Sequence, residues 1–389
     1  MRYKYCSIVF GIIVLVFMLA GGGKEQPNEG GYIPTSQSSA TPGNLSPRAW
    51  INIASIHMVD AMTGWAMSQE SLLRTVDGGA SWTDVTPKGI GSLREGTWSV
   101  YDMQTVWAVF NVESSTGITI YRTTDGGRKW ESAQINTIPD HGRVTSLAFL
   151  DSTHGWLLIS YGAAMGSESI GVFQTSDGAA TWKLTASVTT NQEIPKGVPL
   201  TGAKNGLRFV DQKNGWLTGF SHANGIWLYS TSDGGQTWMP QSIVAPPGYQ
   251  TGGGSVSTEP PHFFGRKVGL LPVEFRGQTP PVLVFYRTQD GGMSWTPTTP
   301  VQSAQESLES YWGFHWSIID ATHIFVCDGY KLYCTLDGSH SFVSITPNIS
   351  LKNLQQLDFA SEQLGWAIID GGLWKTSDGG HTWIQVKAS

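Results

Sequence analysis

Seven aspartates sit in copies of one eight-residue phrase: TVDGGASW (Asp77), TTDGGRKW (Asp125), TSDGAATW (Asp177), TSDGGQTW (Asp233), TQDGGMSW (Asp290), TLDGSHSF (Asp337) and TSDGGHTW (Asp378). A carboxylate beside hydroxyls and paired glycines could hold a cation or orient a water. The same atoms can instead close a turn. The Asp accepts backbone N–H bonds two residues on, glycine takes the positive φ, the Ser or Thr hydroxyl completes the turn, and the Trp begins the next strand. Chemistry needs unlike groups converging on one point, whereas these are equivalent and spaced 48, 52, 56, 57, 47 and 41 residues apart. They read as structural turns, in which losing the Asp costs about 1 kcal/mol and losing the Trp about 3–5 kcal/mol.

Other groups fall outside the phrase. Aligning the repeats on a second recurrent tryptophan (Trp65, Trp107, Trp156, Trp216, Trp366) finds an always-apolar position at Met58, Val100, Phe149, Phe209, Phe263, Ile318 and Phe359. The residue before it is polar or small, and alternation turns that residue away from the apolar one. His57, Arg208, His262 and Asp358 are thereby candidates for the lining of a central channel mouth. Two acids, Glu259 and Glu274, could approach that mouth from loops, as a paired-carboxylate hydrolase would need. HExxH, GxSxG, P-loop and CxxC patterns are absent from the sequence. GIGSLREG (Gly89–Gly96) has the wrong spacing for a phosphate cradle, and no cofactor or metal is expected. Cys327 and Cys334 flank a turn in FVCDGYKLYCTLD. A turn at Tyr330-Lys331 would set them opposite each other for a disulfide; one at Asp328-Gly329 would leave them out of register.

These residues are carried by repeats too small to bury a core singly. Repeat four reads GLRFVD, NGWLTGF, GIWLYSTSD, QTWMPQSIV: four β-rich runs broken by Gly, Asn and Asp. Seven such units imply an all-β, single seven-bladed β-propeller of four-stranded antiparallel blades, strands a to d from the axis outward, with Asp-boxes in the c–d turns. Blades one and seven each look complete, so the ring should close by packing with no strand exchanged. The a–b and c–d turns share one face, and the b–c and d–a connections share the other. Length varies only on the second, in NVESSTG (Asn111–Gly117), SYGAAMGSES (Ser160–Ser169), SHANG (Ser221–Gly225), FRGQTPP (Phe275–Pro281) and the connection Pro246–His262. That long-loop face is where a binding surface is expected, with Glu113, Tyr161, Glu168, His222, Tyr249 and Arg276 as its candidate residues.

The chain has 389 residues, a formal net charge of −6 and only 14% charged residues. It lacks the basic footprint that nucleic acid or anionic lipid would require. Arg2 and Lys4 precede the apolar run Cys6–Ala20, so residues 1–21 read as an export signal, lipoprotein-like but with Gly22 where a lipid-bearing Cys would stand. Residues 22–48, rich in Gly, Pro, Ser and Thr, read as a disordered tether, and 49–389 as the propeller. The expected place is extracytoplasmic, near the membrane through the N-terminal segment, and the expected state is a monomer.

The paired patterns TGWAMSQESLLRTVDGGASW (Thr63–Trp82) and LGWAIIDGGLWKTSDGGHTW (Leu364–Trp383) resemble BNR/Asp-box repeats, and more narrowly the photosystem II stability/assembly factor family, over about residues 50–389. That resemblance implies an exported or lumenal seven-bladed propeller, a non-enzymatic assembly scaffold with a protein partner. Sialidases and two-propeller xyloglucanases share the boxes. Here, however, the Arg-Ile-Pro motif is missing, Arg74, Arg122 and Arg287 occupy one repeated slot, and the chain holds one propeller. The reading is a non-catalytic extracytoplasmic scaffold holding a protein on the long-loop face. The alternative is a carbohydrate-binding or glycoside-hydrolysing protein.

Overall fold

A computed structural model of the protein describes residues 52–90, 96–110, 117–136, 138, 142–189, 197–220, 225–252, 256–304 and 313–386. The expected signal and tether, and the candidates Glu113 and His222, lie outside these. The described residues form an all-β propeller of seven antiparallel blades in chain order. Blade one runs from Ile53 to Asp84 and blade seven from Leu354 to Gln385, each made of its own four strands. The ring closes through side chains. Gln356 exchanges hydrogen bonds with the Ile56 backbone at 2.9 and 2.7 Å, and the Met58 N–H donates to Asp358 Oδ2 at 2.5 Å.

Aromatic stacking joins several neighbouring blades. Trp107 lies on Phe149 with ring centroids 3.6 Å apart, Trp156 on Phe209 at 3.7 Å and Phe325 on Phe359 at 3.6 Å. In each pair a strand-b aromatic meets the always-apolar strand-a position of the following blade, which buries both faces of the ring. The tryptophan N–H then reaches the next blade's box: Trp107 to Gly178 O, Trp156 to Gly234 O, and Trp366 across the closure to Gly78 O, at 3.0–3.1 Å. The repeated arginine slot is also an inter-blade tie. Arg74, Arg122 and Arg287 donate to the carbonyls of Met103, Ser152 and Ala321 in the next a–b turn.

The boxes do occupy the c–d turns, but their reach is longer than an Asx-turn. Asp77 Oδ1 accepts the N–H of Ser81, four residues on, at 2.9 Å, and Oδ2 accepts the Ser81 hydroxyl at 2.5 Å. Thr75 Oγ1 donates to Asp77 and accepts the Gly79 N–H at 2.9 Å. The same set recurs at Asp177, Asp233, Asp290 and Asp337, and the four-residue N–H bond also at Asp125 and Asp378. One carboxylate thus closes the whole turn.

Two features depart from uniform four-stranded blades. Five blades are separate four-stranded sheets, whereas blades four and five form one ten-stranded sheet. The joint is Val256–Thr258, inside the connection expected to be a loop; it pairs with Phe220 of blade four on one side and Val273–Phe275 of blade five on the other. The hairpin expected as the loop Ser160–Ser169 is instead a continued ladder, with Gly155–Ala164 against Ser167–Thr175 and a bulge between Ser160 and Ala163. The cysteines are free. Their turn spans Asp328–Lys331, closed by an Asp328 N–H to Lys331 O bond, so Cys327 faces Leu332 and Cys334 faces Phe325. The cysteines are thus out of register, as the second alternative had them, though the turn centres on Gly329-Tyr330, and burial pushes the Cys327 thiol up to about 12.

Candidate functional site: the long-loop face and the channel mouth

The inward column of strand a serves mainly to join blades. Ser99 Oγ accepts the Phe149 N–H at 3.1 Å and Ser317 Oγ the Phe359 N–H at 2.8 Å, matching Asp358 with Met58. These three inward groups thereby satisfy the open inner edge of the next blade. His57 and Arg208 are buried, and His57 pairs in register with Trp65. His262 and Arg208 come together, and burial and then the Arg208 charge hold His262 down at about 3. His315, an inward residue of blade six absent from the sequence candidates, is held down at about 4 by burial. The signal that could have found it was alternation, since His315 stands two residues before the inward Ser317 on one strand.

The long-loop end of the channel carries the most developed polar cluster among the described residues. Glu259 Oε1 accepts Asn205 Nδ2 at 2.8 Å, and Asn205 also donates to Thr258 O at 2.8 Å. Glu274, opposite Ser257 on the blade-joining strand, accepts Arg276 Nε at 2.8 Å; its carboxylate is buried, while the Arg276 side chain is 45% exposed. Glu259 and Glu274 interact: burial first, then the Glu274 charge, raises Glu259 to about 8, with Arg276 opposing. Gly313 closes the cluster, since a Cβ there would stand 3.0 Å from Glu274 Oε2. The structure thus brings the two acids together beside an arginine, but Glu274 comes from the strand Val268–Phe275 rather than from a loop as expected. Sequence spacing did not demand this, because the joint strand that carries Ser257 was hidden in a Pro/Gly-rich connection.

The remaining face candidates divide. Glu168 is buried, accepting Ser160 Oγ at 2.5 Å and the Lys204 N–H at 2.6 Å. Lys204 Nζ is ringed by the carbonyls of Glu168, Leu200, Thr201 and Gly202 at 2.8–3.3 Å. Burial lowers this ammonium to about 8, against the Glu168 charge. Tyr161 packs into the core between blades two and three, and Tyr249 lies edge-on to Phe275. Glu168 and Lys204 are therefore a pin beneath the blade-three hairpin, and Arg276 is the half-exposed charge of the set. Groups of three or more metal-ligating side chains are absent among the described residues.

With this geometry in place, known structures align along nearly the whole ring. YCF48 bound to a D1 peptide aligns at a TM-score of 0.53 and 16% identity, over 90% of this chain and 97% of that one. The fold is similar to that of YCF48. A second YCF48, from Cyanidioschyzon merolae, gives 0.54 and 17%, over 85% and 97%. The extracellular domain of the hybrid two-component system BT4673 from B. thetaiotaomicron gives 0.52 and 12%, over 85% of this chain and 39% of that one. No family model matches the chain, and no curated protein does. At these identities the likeness to YCF48 is one of fold, and it agrees with a BNR-type propeller resembling the photosystem II stability factors.

Proposed function

We propose that the protein is a non-catalytic scaffold outside the cytoplasmic membrane, which holds a protein partner on the long-loop face of the propeller. One observation carries this reading. The box face is seven near-identical turns, whereas blades three to five add a pinned hairpin, a sheet-joining strand and a half-exposed arginine to the opposite face. Rigid scaffolds present their variable loops for binding. That YCF48, alike in fold, was solved with a peptide bound supports the same use. Photo-crosslinkers at Arg276 and Tyr249, with Arg128 on the box face as reference, test it in the host envelope. A defined protein adduct from the first two and not the third is expected; equal labelling from all three, or none, would overturn the reading.

A glycan-active reading draws on the Glu259–Glu274 pair, one acid raised by burial and the other salt-bridged, which is how two carboxyls are set to different tasks. Turnover of a polysaccharide panel by the purified chain, lost in Glu259→Gln, would decide for it; no turnover would remove it.

A further inference from the structure

Glu259 follows directly on the joint strand Val256–Thr258, and its N–H donates to Pro272 O at 3.0 Å, which carries the pairing with blade five one residue further. Alternation puts Glu259 on the same side as Ser257, whose register partner is Glu274. The two carboxyls are thereby diagonal neighbours across one strand pair, close enough for like charges to repel. One cation serves both. Arg276 donates through Nε to Glu274 at 2.8 Å. Among the described residues Glu259 receives only neutral donors, Asn205 Nδ2 at 2.8 Å and Ser257 Oγ at 3.5 Å. The neighbouring cations of blade four are engaged elsewhere, Lys204 among the blade-three carbonyls and Arg208 beside His262. Of two close acids facing one arginine, the one without the ion pair keeps its proton more tightly. Burial and then the Glu274 charge accordingly raise Glu259 to about 8, with Arg276 opposing.

The acid sits where the joint is thinnest. Towards blade four, the described pairing of Val256–Thr258 is the single register partner Phe220 of Ser257. The Thr258 hydroxyl adds its contacts with Gly219 and Trp227. The remaining tie is the Asn205 amide, which donates from Nδ2 to Thr258 O and to Glu259 Oε1 at 2.8 Å each. That amide is itself fixed, because its Oδ1 accepts the Thr218 hydroxyl at 2.8 Å. One side chain of blade four therefore holds the joint strand and the acid together. A charge on Glu259 is relieved by moving the carboxyl away from Glu274 into water, and that movement withdraws it from Asn205 and loosens the joint.

We propose that Glu259 is a proton-operated latch: protonated, it closes the Val256–Thr258 joint between blades four and five at the long-loop end of the channel, and ionised, it lets that joint open. Closure takes up a proton that an opened, water-exposed carboxyl releases, so it weakens as pH rises from about 4.5 through 8. The latch needs no partner on the face, and the purified full chain tests it apart from the scaffold reading. Amide hydrogen exchange is followed from pH 5 to 8, each rate divided by the intrinsic rate at that pH. The joint is read at Val256–Glu259, with the blade-one strand Ile53–Met58 as reference. Protection at the joint is expected to fall roughly ten-fold further than at the reference. In Glu259→Gln, an uncharged side chain of the same shape, that extra fall should vanish. Glu274→Gln frees Arg276 for Glu259, so the fall should move to lower pH, which a side chain that merely fills space would not cause. A joint that loses no more protection than the reference overturns the latch, as does an extra fall that survives in Glu259→Gln. If Glu259→Gln does not fold, Glu274→Gln decides, and a fall at unmoved pH overturns the latch.

Discussion

At the residue scale, the boxes show how far a repeated turn tolerates substitution. The second glycine of the pair has positive φ in every blade, but blades three and six place Ala179 (φ 83°) and Ser339 (φ 69°) there. A side chain in this region is strained by about 1–2 kcal/mol. Ser339 adds a buried hydroxyl without a hydrogen-bond partner, which water would otherwise have satisfied. Ser339→Gly is therefore expected to stabilise the fold by about 1–2 kcal/mol, read as a higher urea midpoint. An unchanged or lower midpoint would mean that the turn holds Ser339 without strain. Ala179→Gly should act in the same direction with a smaller effect, since no hydroxyl is released.

At the scale of elements, the joint between blades four and five is the least anticipated feature and the most exposed to a single change. Thr258 Oγ1 accepts the Gly219 N–H at 3.0 Å and contacts the Gly219 and Trp227 carbonyls at 3.0 and 2.6 Å. A Cβ on Gly219 would meet Ala203 O at 1.9 Å, so only glycine lets the inner strand of blade four pass. Gly219→Ala should cost about 2–3 kcal/mol and loosen Val256–Thr258. Hydrogen exchange should speed up at those three residues and leave blade one unchanged. Uniform acceleration around the ring would show that the joint is no independent element. The acid cluster rests on this strand through Ser257 and Glu259, so the same variant should also disturb the channel mouth.

At the scale of the whole molecule, pH acts through two rings of groups. The box carboxylates of Asp77, Asp290 and Asp378 are held at about 2, the first two chiefly by the Ser81 and Ser294 hydroxyls and the third by the Thr382 N–H. Their folded pKa lies below the unfolded value, so their stabilisation is present above about pH 4 and lost as pH falls towards 2. Each is only half-buried, which keeps its share small; their number makes the effect visible. His262 and His315 stay neutral in the fold, so the unfolded chain takes up protons first and stability declines from about pH 6.5 downward. Glu259 works in the opposite sense: raised to about 8, it favours the folded state at low pH and withdraws that support as pH rises from about 4.5 through 8. Urea midpoints measured from pH 2 to 9 should peak between about pH 5 and 7. A midpoint that climbs on acidification below pH 4 would refute the role given to the boxes.

The ring itself was legible in the linear chain, for a physical reason. A blade's turn, its strand alternation and its inter-blade aromatic are all set by neighbours within one repeat, and seven copies repeat the message. The apolar position of strand a stands between blades because alternation allows it nowhere else, as Phe149 and Phe209 show. The tertiary structure decided what depended on residues far apart in sequence. Asp358 and Met58 are 300 positions apart, so their bond exists only once the ring has closed. Cys327 missed Cys334 because the turn centres on Gly329-Tyr330, where Asp328 Oδ1 accepts the Tyr330 and Lys331 N–H groups, rather than on Tyr330-Lys331. The Glu259–Glu274–Arg276 cluster and the pinned hairpin arose where irregular connections crossed between blades, and no local period records where such a connection will land.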